Sequence, residues 1–228
     1  MGPMGRVGAV MAAFLLITAT FVPAVSIGAV QAAGNESGGA IAAGNSPQTV
    51  KGQVVEDTER LDATNNRYES ARDRARDRFN DSRQHYLDPV RSSSAKLFTH
   101  DANGIQALSA FAGTPSEDDV IDIADRVVRA DNRTAYRELA DARHLMNESR
   151  DEIDNNGVLR SMEAHLDNAE RKYARAQRVI DRTTNTEGKR ALRLRARSVR
   201  NLRQTWRQAH FVVERAIERA NLTRPTKS

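Results

Sequence analysis

Leu159, Met162, Leu166, Ala169, Tyr173, Ala176 and Ile180 follow one another at alternating spacings of three and four residues, the repeat that lays an apolar seam along one face of an α-helix. A second series, Leu192, Val199, Leu202, Trp206, Ala209, Val213, Ala216 and Ala220, begins just after Gly188. The short "TTNTEG" stretch between the two series predicts an antiparallel helical hairpin, with Trp206 in its core. Breaks at "HYLDPVRSSS", "AGTPSEDD", "DNNG" and "TTNTEG" divide the chain beyond Gln53 into helical segments 54–88, 92–112, 115–154, 157–183 and 188–222. Strand-type alternation is missing from all five. The pattern therefore predicts an all-α fold, an elongated helical bundle or a set of coiled-coil-like antiparallel hairpins with long helices.

The other segments carry weaker patterns. In 54–88, Val54, Leu61, Tyr68, Ala75 and Phe79 lie near one face, but Asn65 and Arg72 share it, which predicts a long polar helix that docks loosely. Thr114, Pro115 and Glu117 have the spacing of a capping box with proline in the first helical position. The apolar stripe that follows, Val120, Ile121, Ala124, Val127 and Val128, is interrupted by "ADNRT", where a kink or short break is expected before Leu139, Ala142, Leu145 and Met146 resume it.

The N-terminus has a different composition. Arg6 precedes an uncharged apolar run over 7–30, and small residues follow to Ala33. This is the layout of a signal peptide over 1–32. The run also approaches the roughly 20 residues that span a bilayer, so an uncleaved N-terminal anchor is the competing assignment, with Pro23 and the Ala-rich exit favouring cleavage. Residues 33–53 are rich in Gly, Ser, Ala and Asn and read as a flexible tether, leaving 54–228 as the helical domain. Either assignment places that domain outside the cytoplasm, secreted or anchored to the outer face of the cell membrane. Asn-x-Ser/Thr sequons at Asn35, Asn80, Asn132, Asn147 and Asn221 are candidate N-glycosylation sites in such a compartment. The chain has no cysteine, so its stability must come from burial without disulfides.

The net charge of +5 conceals a strong asymmetry. Residues 115–154 carry 12 acids against 6 bases, whereas residues 189–228 carry 12 bases against 2 acids. An acidic helix lying beside a basic one would neutralise both. If Leu192 and Val199 face the seam, however, Arg190, Arg193, Arg197, Arg200 and Arg207 fall together on the opposite, outer face, and only Arg195 and Arg203 lie near the seam. Such a face suits phosphate, sulfate or carboxylate groups. Its expected partners are an anionic envelope polymer or a membrane surface, while the seams allow a helix-mediated protein partner or self-association. Nucleic acid is disfavoured by export and by the lack of interleaved aromatic residues other than Trp206.

Chemistry has little foothold in the sequence. His144 shares a helical face with Asp141 and Glu148, and His210 with Glu214, but Glu-x-x-His, His-Glu-x-x-His, Gly-x-Ser-x-Gly and phosphate-cradling loops are all missing. His85, His100 and His165 read as structural or solvated. The chain is expected to be non-catalytic, without cofactor or metal.

Arginine far outnumbers lysine, which occurs only at Lys51, Lys96, Lys172, Lys189 and Lys227. With the sequons, the long Ala-rich export signal and the Asp-rich helices, the chain resembles the helical N-terminal region of uncharacterised secreted haloarchaeal proteins. It departs from that group in being net basic, and no functional residue carries over. The expected function is an exported structural or interaction module at the cell surface, with polyanion binding (acidic glycan, anionic lipid or nucleic acid) through the basic face of the last helix as the alternative.

Overall fold

A computed structural model describes residues 46–87 and 95–220, which form six α-helices and no strand. They are α1 (Pro47–Glu59), α2 (Asn66–Leu87), α3 (Lys96–Leu108, extended by a 3-10 turn over Ser109–Phe111), α4 (Glu117–Glu152), α5 (Asn156–Asp181) and α6 (Gly188–Ala220). The all-α bundle expected from the apolar spacing is present. The expected signal or anchor over 1–32 lies outside the described residues, as do Asn35 and Asn221. Among the described residues no helix is long and apolar enough to cross a membrane.

The long helices α4, α5 and α6 run up, down and up. Glu117 meets Gly188, Asp125 meets Arg195 and Glu138 meets His210, pairs that are 71, 70 and 72 residues apart, and a constant offset of this kind requires α4 and α6 to be parallel. Helix α5 returns antiparallel to both, bonding α4 through Arg143 to Glu170 and Arg150 to Glu163, and α6 through His165 to Gln208. The predicted α5/α6 hairpin is therefore formed, whereas Trp206, expected in its core, is buried against Phe98 of α3 in the core that α6 shares with the earlier helices. Helices α1, α2 and α3 pack around one end of this trio. There Phe79, Phe98, Ile105, Val120, Val127, Leu192, Val199 and Trp206 share one core. Beyond it α4, α5 and α6 continue alone around Leu139, Leu145, Met146, Met162, Val212 and Val213.

Several boundaries differ from the sequence expectations, each for a local reason. Residues 47–53, expected within the tether, belong to a helix: Ser46 Oγ accepts the Thr49 N–H at 3.1 Å and Pro47 opens α1. The single helix expected over 54–88 is two helices, because Asn65 caps α2 by accepting the N–H groups of Arg67 and Tyr68. Nor does it dock loosely, since Val54, Ala71, Ala75 and Phe79 are fully buried. Helix α4 passes through "ADNRT" unbroken because each polar group there has a partner: Asp131 meets Lys51, Asn132 meets Gln177, and Thr134 bonds Tyr86 and the Ala130 carbonyl. The capping box at Thr114 is not formed. Thr114 turns to the Phe111 carbonyl, α4 starts at Glu117, and the Glu117 carboxylate accepts from the backbone N–H of Gly113 and of Gly188. One side chain thus pins the start of α6 to the start of α4.

The first four helices are joined by a buried ionic cluster. Lys51 of α1, fully buried, donates to Asp101 of α3 at 2.7 Å and to Asp131 of α4 at 2.8 Å, and Ser82 of α2 donates to Asp101 at 2.6 Å. Burial alone lowers the pKa of the Lys51 ammonium, but Asp101 and then Asp131 outweigh it and hold the pKa above the usual lysine range. Burial, reinforced by Asp101, pushes the Asp131 carboxyl well above the carboxylate range against the pull of Lys51. Among the described residues Asp101 Oδ1 and Asp131 Oδ2 are the two cluster oxygens without a donor, and a proton retained by Asp131, the direction in which its pKa is pushed, would bond Asp101 and satisfy both. The cluster is then neutral, one ammonium against one carboxylate, as burial demands.

Two predictions follow from this packing. Above the ordinary aspartate pKa of 3.8 the unfolded chain loses the Asp131 proton while the folded chain keeps it. This site therefore lowers stability by about 1.4 kcal/mol per pH unit as pH rises, until the folded carboxyl itself ionises. Lys51, whose folded pKa is raised, contributes stability that is fully present below 10.5 and adds no slope in this range. Urea unfolding from acid to neutral pH should show Asp131→Asn gaining on the wild type as pH rises, and parallel curves would contradict the proton assignment. The second prediction concerns Gly104, where an added Cβ would overlap the Phe79 ring, so Gly104→Ala should cost about 1–3 kcal/mol. At Gly52 the nearest atom to an added Cβ is the Arg83 side chain at 3.7 Å, and Gly52→Ala should be neutral or stabilising by up to about 1 kcal/mol in the same unfolding experiment.

Candidate functional site

Helix α6 contacts α3, α4 and α5, and it buries a correspondingly wide arc that includes Ala191, Leu192, Ala196, Ser198, Val199, Leu202, Thr205, Trp206, Ala209 and Val212. Between Gly188 and Val213 it carries eight cationic residues and no acid. One of them, Arg195, turns inward and forms a two-point ion pair with Asp125 of α4 at 2.7 and 2.8 Å. Arg203 is half-buried, and its Nε has no partner.

The five arginines assigned to the outer face, Arg190, Arg193, Arg197, Arg200 and Arg207, are all exposed. They extend over 18 residues, whose 17 rises of 1.5 Å amount to about 26 Å of helix. Among the described residues Arg190, Arg193, Arg197 and Arg207 make no ion pair or hydrogen bond, and Arg200 donates to Gln106 Oε1 of α3 at 2.9 Å. Acidic α4 does lie beside basic α6, but it meets that helix on its inner side, through Asp125 with Arg195 and Glu138 with His210. Neutralisation by α4 therefore does not reach the outer face.

Structure adds a second basic stretch that the sequence reading did not assign to the site. With His165 opposite Gln208, the antiparallel register sets residues 171–182 beside residues 191–202 of α6. This end of α5 and its C-cap carry Arg171, Lys172, Arg175, Arg178 and Arg182 against the single acid Asp181, and Arg171, Arg175, Arg178 and Arg182 are exposed. The local charge was visible in the sequence, but its place beside the α6 arginines depends on the hairpin register.

The remaining sequence candidates are dispersed. His144 is exposed and pairs with Glu148 at 3.2 Å. His210 lies between Glu138 at 2.7 Å and Glu214 at 3.0 Å and stacks on Trp206. His165 packs on Phe211, and His85 faces His100, whose pKa is lowered by burial despite Asp81 nearby. Among the described residues no three or more His, Asp or Glu side chains are arranged to hold a metal ion. Asn80 and Asn147 are exposed within α2 and α4, while Asn132 is half-buried and its side-chain oxygen accepts from Gln177 at 2.6 Å.

Fold and site together define an all-α bundle with an unneutralised basic face. No family model, curated protein or solved structure matches the chain.

The two classes of arginine on α6 should separate by stability. Arg195→Gln leaves the Asp125 carboxylate without its partner and should cost about 2 kcal/mol. Replacing Arg190, Arg197 and Arg207 by Gln should move each unfolding midpoint by no more than the surface range of about 0.5 kcal/mol per site.

Proposed function

We propose that this chain is a non-catalytic helical interaction module, working outside the cytoplasm, that binds an anionic polysaccharide along the outer face of α6 and the adjoining half of α5. The observation that carries this reading is the row of exposed arginines without ionic partners among the described residues, over a stretch of α6 that contains no acid. Planar guanidinium groups at helical spacing can each grip a successive anionic group on a linear polymer. A membrane surface is the poorer fit for this face, because among the described residues the exposed large apolar side chains are Leu87, Tyr136 and Ile217, none of them within the arginine row. Stacking on nucleic-acid bases lacks its aromatic groups, since Trp206 is only 5% exposed.

The test is binding of the chain to an acidic polysaccharide and to anionic vesicles across a salt series, beside a variant with Arg190, Arg193, Arg197, Arg200 and Arg207 changed to Gln. About five charge contacts should cost on the order of 100-fold in affinity between 50 and 200 mM salt, by counterion release. The variant should stay helical and lose both binding and salt slope. Vesicle binding that exceeds polysaccharide binding would move the assignment to a lipid surface. Polysaccharide binding unchanged in the variant would remove α6 from the site, and absence of binding to either would leave protein partners as the role of the module.

A further inference from the structure

Lys189, Arg193 and Arg200 of α6, together with Gln106 of α3 and Ser109 of the following 3-10 turn, line a groove of about 340 Å³ over Ala196. No acid lines it. Three features make it more than a stretch of charged surface. The Arg200 guanidinium is held by Gln106 Oε1 at 2.9 Å, which fixes one donor at the groove edge. Two of the carbonyls at the end of α3, which would repel an anion, already accept hydrogen bonds: the Ser109 N–H donates to the Ala107 and Gln106 carbonyls, and Ser109 Oγ donates to the Gln106 carbonyl at 2.7 Å. Between the cations stands Ala196, whose single methyl group leaves the space open where a longer side chain would fill it. The volume falls at the lower end of small-ligand sites, which run from about 300 to 1,000 Å³.

We infer that this groove is a discrete subsite for one tetrahedral oxyanion ester, phosphate or sulfate, carried on the polyanion, an assignment that rests on the polyanion reading of α6. A planar carboxylate offers two oxygens, whereas a tetrahedral ester group offers three, which suits a groove lined by the three cations Lys189, Arg193 and Arg200. The remaining arginines, Arg190, Arg197 and Arg207, then hold the rest of the polymer by charge alone.

The experiment compares dextran sulfate with polygalacturonate at matched charge density and salt, using the full chain and two triple variants. One variant changes the groove cations, Lys189→Gln, Arg193→Gln and Arg200→Gln, and the other changes Arg190→Gln, Arg197→Gln and Arg207→Gln. The wild type should prefer dextran sulfate by about 10-fold, the worth of one charge-assisted hydrogen bond. The groove variant should bring this ratio to about one, whereas the ridge variant should weaken both polymers equally and keep it. Inorganic phosphate and inorganic sulfate, each against acetate at fixed ionic strength, identify which ester the groove takes by the lower concentration that displaces dextran sulfate. Equal affinity for the two polymers, or a preference that survives in the groove variant, would overturn the subsite and leave the polyanion reading standing. Failure of both polymers to bind the wild type would overturn both.

Discussion

Helix α6 has to satisfy three neighbours at once, and the rest of the structure follows from that requirement. Its contacts with α3, α4 and α5 commit an arc of Ala, Leu, Val and Trp side chains to the core, leaving only one face for charge. A long guanidinium cannot enter the core without an anion to meet it, and the one arginine that does so, Arg195, takes the Asp125 carboxylate with it. The other arginines lie on the outer strip, apart from Arg203, which is half-buried near the seam. The same packing that builds the bundle therefore concentrates its cations, and the basic face is a consequence of the core as much as an addition to it.

The opposite end of the polarity scale appears where α1 to α4 meet. A buried lysine with two aspartates is a poor source of net stability, since desolvation offsets most of the Coulomb gain. It is a strong source of specificity, because Lys51, Asp101 and Asp131 can be satisfied together only when α1, α3 and α4 stand in one register. Glu117 acts similarly where α4 and α6 begin, joining two backbone N–H groups to one carboxylate. These polar contacts select among arrangements that apolar packing alone would tolerate, and they hold the helices that carry the basic face and its groove.

The helices could be recognised from sequence where apolar spacing was regular and undisturbed, as in α5 and α6. Recognition failed where polar residues had partners, near or far in the chain, that apolar spacing does not reveal. Asn65 looked like a flaw in one long helix and is the cap that divides it in two. "ADNRT" looked like a break and is continuous, because Asp131, Asn132 and Thr134 bond residues of other helices that no local pattern reveals. Lys51 lay within a stretch that reads as a tether, yet it is fully buried.

For the candidate site, the amino-acid sequence by itself determined which arginines of α6 face outward, because helical periodicity assigns every residue to a face once the apolar seam is known. It likewise determined the all-α class and the hairpin of the last two helices. Only tertiary structure decided that α4 and α6 run parallel, that acidic α4 neutralises the inner side of α6 and not the outer, and that Lys189, Arg193 and Arg200 close a groove with Gln106 and Ser109. The physical reason is range: periodicity is a property of neighbours within a few turns of one helix, whereas ion pairs and grooves depend on residues some 70 to 94 positions apart that meet only when the helices pack.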